Sequence, residues 1–305
     1  MGKKKSFFIL SIDGGGIRGL YPAYLLKRIQ DEFNIFLSSH FNLITGTSTG
    51  SIIASLVAID MPIVEIVKFY ETEGVRLFQK NSGSFSGLFK SKYSNEYLKT
   101  LLSEKFNGRT LGDISKTRLL IPSTDISNGT VHVFKSAYSP DFVRDSNVLL
   151  ADAVLASCSA PSFFDPSQVD VYMLADGGLW ANNPALLAYT EAVSRLKISP
   201  AHIKVLSIGT GISKHCYDPA KIKSKWGLVN GWQKGKLIDM ILNLQSFNVD
   251  NTLKLLLDDK YFRINFEGVG NLSLDDLSIM PSLKSKADMD FTYHSKSVKK
   301  FLEVN

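Results

Sequence analysis

Short apolar runs alternate along this chain with longer segments of helical periodicity. Apolar residues recur at helical spacing over residues 20–37, 51–59 and 183–196. Runs typical of buried parallel strands stand at residues 7–12, 41–44, 118–121, 131–135, 169–174 and 204–208. This alternation predicts an α/β fold in which helices cover both faces of a mostly parallel central sheet.

The pattern changes after Gly211. A basic stretch with two tryptophans, Trp226 and Trp232, precedes a long helical pattern over residues 237–257. We expect residues 213–305 to form a cap or C-terminal layer on a core of residues 6–212. With 305 residues, 44% of them apolar, the chain 1–305 can bury its core as one large domain.

Composition and charge limit the classes of protein to which this chain can belong. The longest apolar stretch, residues 52–59, falls far short of the ~18 residues that a membrane span needs. Two cysteines, Cys158 and Cys216, are too few for a disulfide framework and lack metal-site spacing. The net charge of +6 is spread along the chain and calls for no nucleic acid. We therefore expect a cytoplasmic protein without metal, in at most peripheral contact with the inner face of a membrane.

A Gly-x-Ser-x-Gly motif follows the second predicted strand. Gly46 and Gly50 flank Ser48, and an apolar helix comes next. This is the context of a nucleophile elbow, where glycines permit a sharp turn and expose the serine at a helix N-terminus. An ordinary glycine-flanked turn is the alternative.

The first predicted strand runs into a glycine-rich loop. Gly14–Gly16 offers backbone amides that can bind an oxyanion, and Arg18 adds positive charge nearby. Gly14, Gly16 and Gly19 also fit the Gly-x-Gly-x-x-Gly pattern of a dinucleotide-binding protein. That reading requires an acidic residue at the end of the next strand, whereas Asp31 and Glu32 fall inside the predicted helix.

A serine nucleophile needs a base, and Asp176 is the best-placed candidate. It follows an apolar segment and precedes Gly177 and Gly178, so it emerges at a strand end where partial burial raises a carboxylate's pKa. A plain Asp-Gly turn is the alternative. None of the five histidines lies beside a motif: His40, His132, His202, His215 and His294.

Three blocks together resemble the signatures of the patatin-like phospholipase family. They are Asp13–Gly19, Gly46–Gly50 and Asp176–Gly178, in this order. The likeness covers residues 6–212 and extends to segments between the blocks: Ser123–Ser127, Ala156–Phe164, Asn182–Leu186 and Leu206–Gly211.

The resemblance implies a three-layer α/β/α sandwich and a serine acyl hydrolase that needs no metal or cofactor. It implies that Ser48 attacks the acyl carbonyl of a membrane phospholipid, that Asp176 acts as the base, and that the backbone amides around Gly15 and Gly16 bind the oxyanion. The elbow fixes acyl transfer but not the leaving group, so a thioesterase or a carboxylesterase stays open. A dinucleotide-binding protein without hydrolase activity is the alternative from another class.

The chain is also similar to phospholipase effectors of nucleotide-signalled anti-phage systems. That resemblance implies a cyclic dinucleotide as activator. Two segments mix aromatic and basic side chains and suit a membrane surface, Phe85–Tyr93 and Trp226–Lys236. The oligomeric state stays open and includes a homo-oligomer.

Overall fold

The computed structural model describes residues 6–77, 91–212, 217–223, 225–227, 231–232, 234–268 and 272–304. In this part of the chain eight strands form one sheet. They are β1 (Phe7–Ile12), β2 (Leu43–Gly46), β3 (Arg118–Asp125), β4 (Thr130–Lys135), β5 (Ser167–Val169), β6 (Tyr172–Asp176), β7 (Ile203–Ile208) and β8 (Tyr261–Ile264).

The helices are α1 (Leu20–Phe33), α2 (Leu37–His40), α3 (Thr49–Ala58), α4 (Ile63–Leu77), α5 (Asn95–Phe106), α6 (Leu150–Cys158), α7 (Gly178–Ala181), α8 (Ala185–Ser194), α9 (Lys234–Leu257) and α10 (Met280–Phe301). None of them, within the described residues, is long and apolar enough to cross a membrane.

Successive residues of β1 point to opposite faces of the sheet and enter two separate cores. Phe8 and Leu10 pack with α1, α3 to α6 and α10 on one face, while Phe7 and Ile9 pack with α8 and α9 on the other. Burial on both faces explains why this strand is an uninterrupted apolar run. The predicted α/β/α sandwich is confirmed.

The sheet runs in the order β5-β6-β3-β2-β1-β7-β8, and β4 lies beside β3. The pairs β1–β2, β1–β7, β2–β3 and β7–β8 are parallel. β4 and β6 run antiparallel to β3, and β5 runs antiparallel to β6. The mostly parallel sheet that the sequence predicted therefore carries an antiparallel extension at one side.

One edge of β3 is shared by two strands. Its first half pairs with β2, through Thr45 opposite Leu120. Its second half pairs with β6, through Asp176 opposite Ser123. Since β4 follows the other edge of β3, β2 and β6 meet end to end on the same edge. The residues that follow β2 are thereby brought to the end of β6.

The prediction of a single strand over residues 169–174 is wrong. The segment is a hairpin in which β5 ends at Val169 and β6 begins at Tyr172, its antiparallel partner. Asp170 adopts a left-handed φ of 52° in the two-residue turn. The turn contains no glycine, so the sequence lacks the usual signal of a tight hairpin.

Two further boundaries differ from the prediction. The helical pattern over residues 20–37 breaks at Phe33, because Asn34 takes a left-handed φ of 50° and caps α1. A strand that the sequence pattern does not predict stands at residues 261–264, where β8 pairs with β7 in parallel. By contrast, the helical pattern over residues 237–257 corresponds to α9.

Candidate active site

Ser48 occupies a tight turn between β2 and α3. Its φ of 51° and ψ of −124° are unusual for a residue with a side chain and place it among strained residues that cluster at functional sites. A Cβ on Gly46 would lie 2.0 Å from the Gly50 carbonyl oxygen, and a Cβ on Gly50 would lie 2.3 Å from the Ile12 carbonyl oxygen. Both glycines are therefore required for the turn to close against β1.

Hydrogen bonds from neighbouring elements hold this turn. The Ser48 amide donates to Oγ of Ser157 on α6 at 3.0 Å, and the Ser157 hydroxyl donates to the Pro122 carbonyl on β3 at 2.7 Å. The Ser51 hydroxyl donates to the Ser48 carbonyl at 2.6 Å. Ser157 is a supporting residue that the motif search did not single out, although it lies inside a segment that resembles the family.

Asp176 is the last residue of β6 and lies beside Ser48. Both residues line the same cavity, and the nearby Ser48 side chain lowers the pKa of the Asp176 carboxyl. The Gly178 amide donates to Oδ1 at 2.6 Å, and Gly177 links the strand to this donor. Burial raises the pKa of Asp176 to about 6, against the opposing effect of the Ser48 side chain and the Gly178 amide.

The glycine-rich loop presents two backbone amides to the same space. The Gly14 amide donates to the Asn182 carbonyl at 3.0 Å and is already engaged. Among the described residues, the amides of Gly15 and Gly16 have no protein acceptor. Arg18 donates from Nε to the Gly15 carbonyl, at 3.2 Å. The loop therefore offers Gly15 and Gly16 to a ligand, while Gly14 anchors it.

Arg18 also connects this loop to the segment after β7. Its Nη1 donates to the Gly211 carbonyl at 3.2 Å. The Ile17 amide donates to the Leu274 carbonyl at 2.9 Å, which ties the loop to the C-terminal region as well. The guanidinium thus holds the loop through carbonyl groups.

A buried ion pair supports the glycine-rich loop. Arg263 on β8 donates from Nη1 and Nη2 to the two carboxylate oxygens of Asp13, at 2.9 and 2.5 Å, and from Nη1 to Ser207 Oγ at 2.7 Å. The Asp13 and Arg263 side chains are 4% and 8% exposed. Sequence reasoning missed Arg263, because it lies 250 residues from Asp13 in a short strand without a motif.

A cavity of about 230 Å³ joins these groups. Ser48, Asp176, the glycine-rich loop and Arg18 contribute its polar part. Most of the remaining lining is apolar: Ile17, Ile52, Tyr70, Leu77, Leu98, Phe163, Phe164, Leu179, Ile212, Leu242, Leu272 and Leu274. The cavity can therefore bind a long apolar group beside Ser48.

The other carboxylate in the described cavity lining, Asp13, is engaged by Arg263, which leaves Asp176 as the candidate base. None of the histidines is among the lining residues of the cavity; His215 lies outside the described residues. Cys158 is buried against Ser48 and Ser51, and burial raises the pKa of its thiol, so it stays protonated. The described residues also contain no cluster of acidic, histidine or cysteine side chains that would hold a metal ion.

The two aromatic and basic segments predicted to face a membrane are described only in part. Residues 85–90 of the first segment lie outside the described residues, as do residues 228–230 and 233 of the second. Tyr93 is buried and contacts the Phe163 and Phe164 rings. The described end of the first segment therefore packs against two residues that line the cavity, Phe163 and Phe164, without lining it itself.

We predict that Arg263→Met lowers the free energy of unfolding by about 3–5 kcal/mol, because it leaves the Asp13 carboxylate buried without its cation. Urea denaturation measures this change. Adding Asp13→Asn to the same chain removes the buried charge and restores most of the loss.

Lys254→Met is the control. Lys254 pairs with Asp250 but is 58% exposed, so we expect its loss to lower the free energy of unfolding by less than about 1 kcal/mol. Equal, small effects of Arg263→Met and Lys254→Met would contradict the account of the Asp13–Arg263 pair.

Comparison with known proteins relates this site to an enzyme family. The family model described as patatin-like phospholipase matches residues 10–189. A cGAMP-activated phospholipase of Pseudomonas aeruginosa (strain BWHPSA011 / Pa011) is 33% identical over 276 residues, which cover 88% of this chain and 81% of that protein. Patatin-like protein 2 of Oryza sativa subsp. indica is 30% identical and covers 90% of this chain and 81% of its own length.

A solved structure agrees in fold. VipD from Legionella pneumophila aligns with a TM-score of 0.51 at 12% identity, over 93% of this chain and 67% of that one. The family model spans more than half of the chain, and the Pseudomonas relative matches most of it. The chain therefore belongs to the patatin-like phospholipase family and is a lipid acyl hydrolase.

Proposed function

We propose that this protein hydrolyses fatty-acyl ester bonds of phospholipids with Ser48 as the nucleophile and Asp176 as the base. The observation that carries the proposal is that Ser48, at a strained strand-to-helix turn, and the buried carboxylate of Asp176 line one cavity. Family membership favours hydrolysis over the alternative of a dinucleotide-binding protein. The apolar cavity beside Ser48 suits a fatty-acyl chain.

In the first half of the reaction, Ser48 Oγ attacks the ester carbonyl carbon and its proton passes to the Asp176 carboxylate. The carbonyl π bond opens, and the resulting oxyanion is stabilised by amide donors. When the carbonyl re-forms, the bond to the alcohol oxygen breaks, and Asp176 returns the proton to that oxygen. A lysophospholipid leaves, and the acyl group stays on Ser48.

In the second half, a water molecule attacks the acyl carbon and gives a proton to Asp176. The second tetrahedral intermediate collapses, and the bond to Ser48 Oγ breaks. Asp176 then protonates Oγ, which frees the fatty acid and restores both residues. One carboxyl group therefore serves alternately as base and acid, as a two-residue site requires.

Burial makes Asp176 a better base than an ordinary carboxylate. A pKa of about 6 leaves most of it ionised at neutral pH and brings it closer to the pH at which the enzyme works. Its position is fixed by the hydrogen bond from the Gly178 amide. No imidazole is needed between the carboxylate and the hydroxyl.

The amides of Gly15 and Gly16 are the proposed oxyanion donors. Gly14 contributes as an anchor, since its amide is already bound to Asn182. Arg18 and the Asp13–Arg263 pair set the position of this loop from two sides. Donors that are fixed before the substrate arrives need no reorganisation when charge develops.

A cyclic dinucleotide is the activator that we infer for this enzyme. The support is the Pseudomonas relative, a cGAMP-activated phospholipase that is similar to 88% of this chain. We also propose a role in anti-phage defence, because the sequence resembles phospholipase effectors of nucleotide-signalled anti-phage systems. An enzyme that degrades membranes has to be held inactive until a signal arrives, and a soluble nucleotide meets that need.

Substitution of either residue of the proposed pair tests the chemistry. We predict that Ser48→Ala and Asp176→Asn each lower kcat for release of free fatty acid from phospholipid vesicles by at least about 10³-fold, because each change removes covalent catalysis or its base. A fluorophosphonate probe labels the native protein and fails to label Ser48→Ala.

Ser282→Ala, at an exposed serine on α10, is the control and keeps both activity and labelling. Thermal melting verifies that the variants are folded. Fatty-acid release by a folded Ser48→Ala protein at the native rate would contradict the mechanism.

The pKa of Asp176 gives a pH prediction. Protonated Asp176 cannot accept the Ser48 proton, so kcat/KM for a soluble short-chain ester falls about tenfold per pH unit below pH 6. It reaches a plateau above that value, in keeping with a pKa of about 6. Initial rates over a buffer series measure the profile, and an inflection at pH 4, the range of an exposed aspartate, would show that Asp176 is not desolvated as described.

Nucleotide dependence is tested with the native chain and cGAMP. We predict that cGAMP raises the initial rate of fatty-acid release from vesicles by at least about tenfold and increases the melting temperature, because a ligand that binds the folded state stabilises it. Other cyclic dinucleotides and linear GMP plus AMP serve as controls. Full activity without nucleotide, unchanged by the whole series, would exclude this activator.

A further inference from the structure

The wall of the cavity that α9 provides continues onto the surface of the protein. Leu242 lines the cavity, as does Leu179, which is 44% exposed. Ile241 and Leu244, beside Leu242 on α9, are 47% and 55% exposed. We call these four residues the α9 rim. Because its members either line the cavity or adjoin residues that do, the α9 rim marks a place where the cavity meets solvent.

A hydrogen bond joins the two parts of the α9 rim. Nε2 of Gln245 donates to the Leu179 carbonyl at 2.7 Å. Ser246, one residue along, also lines the cavity and accepts from Asn182 at 3.4 Å. The apolar residues of the α9 rim are therefore attached to the segment that follows Asp176.

The outward face of α9 is apolar beside the cavity and polar over the next two turns. Residues 241, 244, 248 and 251 recur at helical spacing and share one face of the helix. The first two are Ile241 and Leu244, whereas the next two are Asn248 and Asn251, which are also exposed. Single exposed leucines are ordinary, but a contiguous apolar group beside a ligand cavity indicates a binding surface.

Aromatic and basic residues precede α9. Tyr217, Trp226 and Trp232 contact each other edge to face, with ring centroids 5.3–5.6 Å apart. Lys221, Lys223 and Lys225 are exposed beside them, as is Ile222, which is 73% exposed. We call residues 217–223, 225–227 and 231–232 the aromatic–basic segment.

The composition of the aromatic–basic segment matches the interface of an anionic bilayer. Its described residues carry three lysines and one acidic side chain, Asp218. Tryptophan and tyrosine prefer the headgroup region of membranes, and lysine is attracted to anionic lipid. Trp232 lies two residues before Lys234, where α9 begins, so the segment adjoins the helix that carries the α9 rim.

We propose that the α9 rim and the aromatic–basic segment together form the surface that docks this enzyme on an anionic phospholipid bilayer. The proposal rests on the proposed function, in which a phospholipid passes from a bilayer to Ser48. Ile241 and Leu244 enter the interfacial region, the lysines contact headgroups, and the acyl chain follows a continuous apolar path past Leu179 and Leu242 into the cavity.

A second exposed apolar group serves as the comparison. It consists of residues at the ends of two hairpins, Ile126, Val131, Val171 and Met173, of which Val171 is the most exposed at 84%. None of the four lines the cavity. Its neighbour Asp170 is acidic and exposed, which disfavours contact with an anionic surface.

The test separates membrane binding from chemistry. Flotation with vesicles of phosphatidylglycerol and phosphatidylcholine measures binding in a Ser48→Ala background, so that the vesicles stay intact. We expect the pair Ile241→Asp with Leu244→Asp to lower the bound fraction by about tenfold or more, because two apolar contacts become charges facing anionic lipid. In the Ser48 enzyme, the same pair lowers vesicle hydrolysis in parallel and leaves hydrolysis of a soluble short-chain ester unchanged.

Neutralising the basic part of the surface gives a distinct signature. Replacing Lys221, Lys223 and Lys225 together by Gln weakens binding to the anionic vesicles and removes most of its salt dependence, because exposed charges are screened by salt. Binding to pure phosphatidylcholine stays the same. Retained salt dependence in this variant would overturn the electrostatic part of the proposal.

Two matched controls locate the surface. Leu255→Asp changes a residue that is 89% exposed on the same face of α9, eleven residues or about 16 Å beyond Leu244. Val171→Asp changes the comparison group. Both bind vesicles as the native protein does. The proposal is overturned if Val171→Asp loses binding while the α9 rim variant keeps it, or if the α9 rim variant changes oligomeric state in size-exclusion chromatography while vesicle binding is unchanged.

The soluble ester distinguishes this proposal from the proposed function. If the native enzyme, supplied with cGAMP, cleaves neither substrate although it floats with vesicles and the α9 rim variant does not float, the docking surface is supported and the chemistry is not. If it cleaves both substrates and the α9 rim variant binds vesicles normally, the chemistry is supported and the docking surface is overturned.

Discussion

The meeting of β2 and β6 on one edge of β3 is the constraint on which the site depends. β2 delivers Ser48 from one direction and β6 delivers Asp176 from the other, and the pairing of each strand with β3 sets how far it extends. Two residues that are 128 positions apart in the chain are thus placed by backbone hydrogen bonds rather than by flexible loops. A purely parallel sheet has no strand that arrives from the opposite side.

This arrangement costs stability at the site, and the surrounding packing offsets that cost. Raising the pKa of Asp176 from 3.8 to about 6 means that the ionised form costs about 3 kcal/mol at neutral pH. The left-handed φ of Ser48 adds about 1–3 kcal/mol of strain. Apolar cores on both faces of the sheet supply the compensation, and the bonds through Ser157 and Arg263 keep the strained segments in place.

The sequence predicted the local parts of the site well and the long-range parts poorly. Strand, glycine turn and helix around Ser48 are neighbours in the chain, so a short motif in its context was enough. Asp176 was identified as a strand end, but the β5–β6 hairpin that orients it was not, because its turn at Asp170 lacks glycine. The role of Arg263 could not be predicted, since nothing in a four-residue strand marks it as the partner of Asp13.

The glycine-rich loop shows the same limit at a finer scale. From the sequence, Gly14, Gly15 and Gly16 are equivalent donors, since each has an amide and none has a side chain. The structure distinguishes them, because the Asn182 carbonyl, delivered by the turn after α7, occupies the Gly14 amide. Which amides stay available depends on a residue 168 positions away, and no local pattern encodes it.

The most direct test of the account is to trap the acyl group on the enzyme. Protein is mixed with a soluble activated ester, quenched in acid within the burst phase, digested, and its peptides are weighed by mass spectrometry. The account predicts an added acyl group on the peptide that contains Ser48, and none on the corresponding peptide of Ser48→Ala. An acyl group on Cys158 or on another residue, with Ser48 unmodified while product forms, would contradict it.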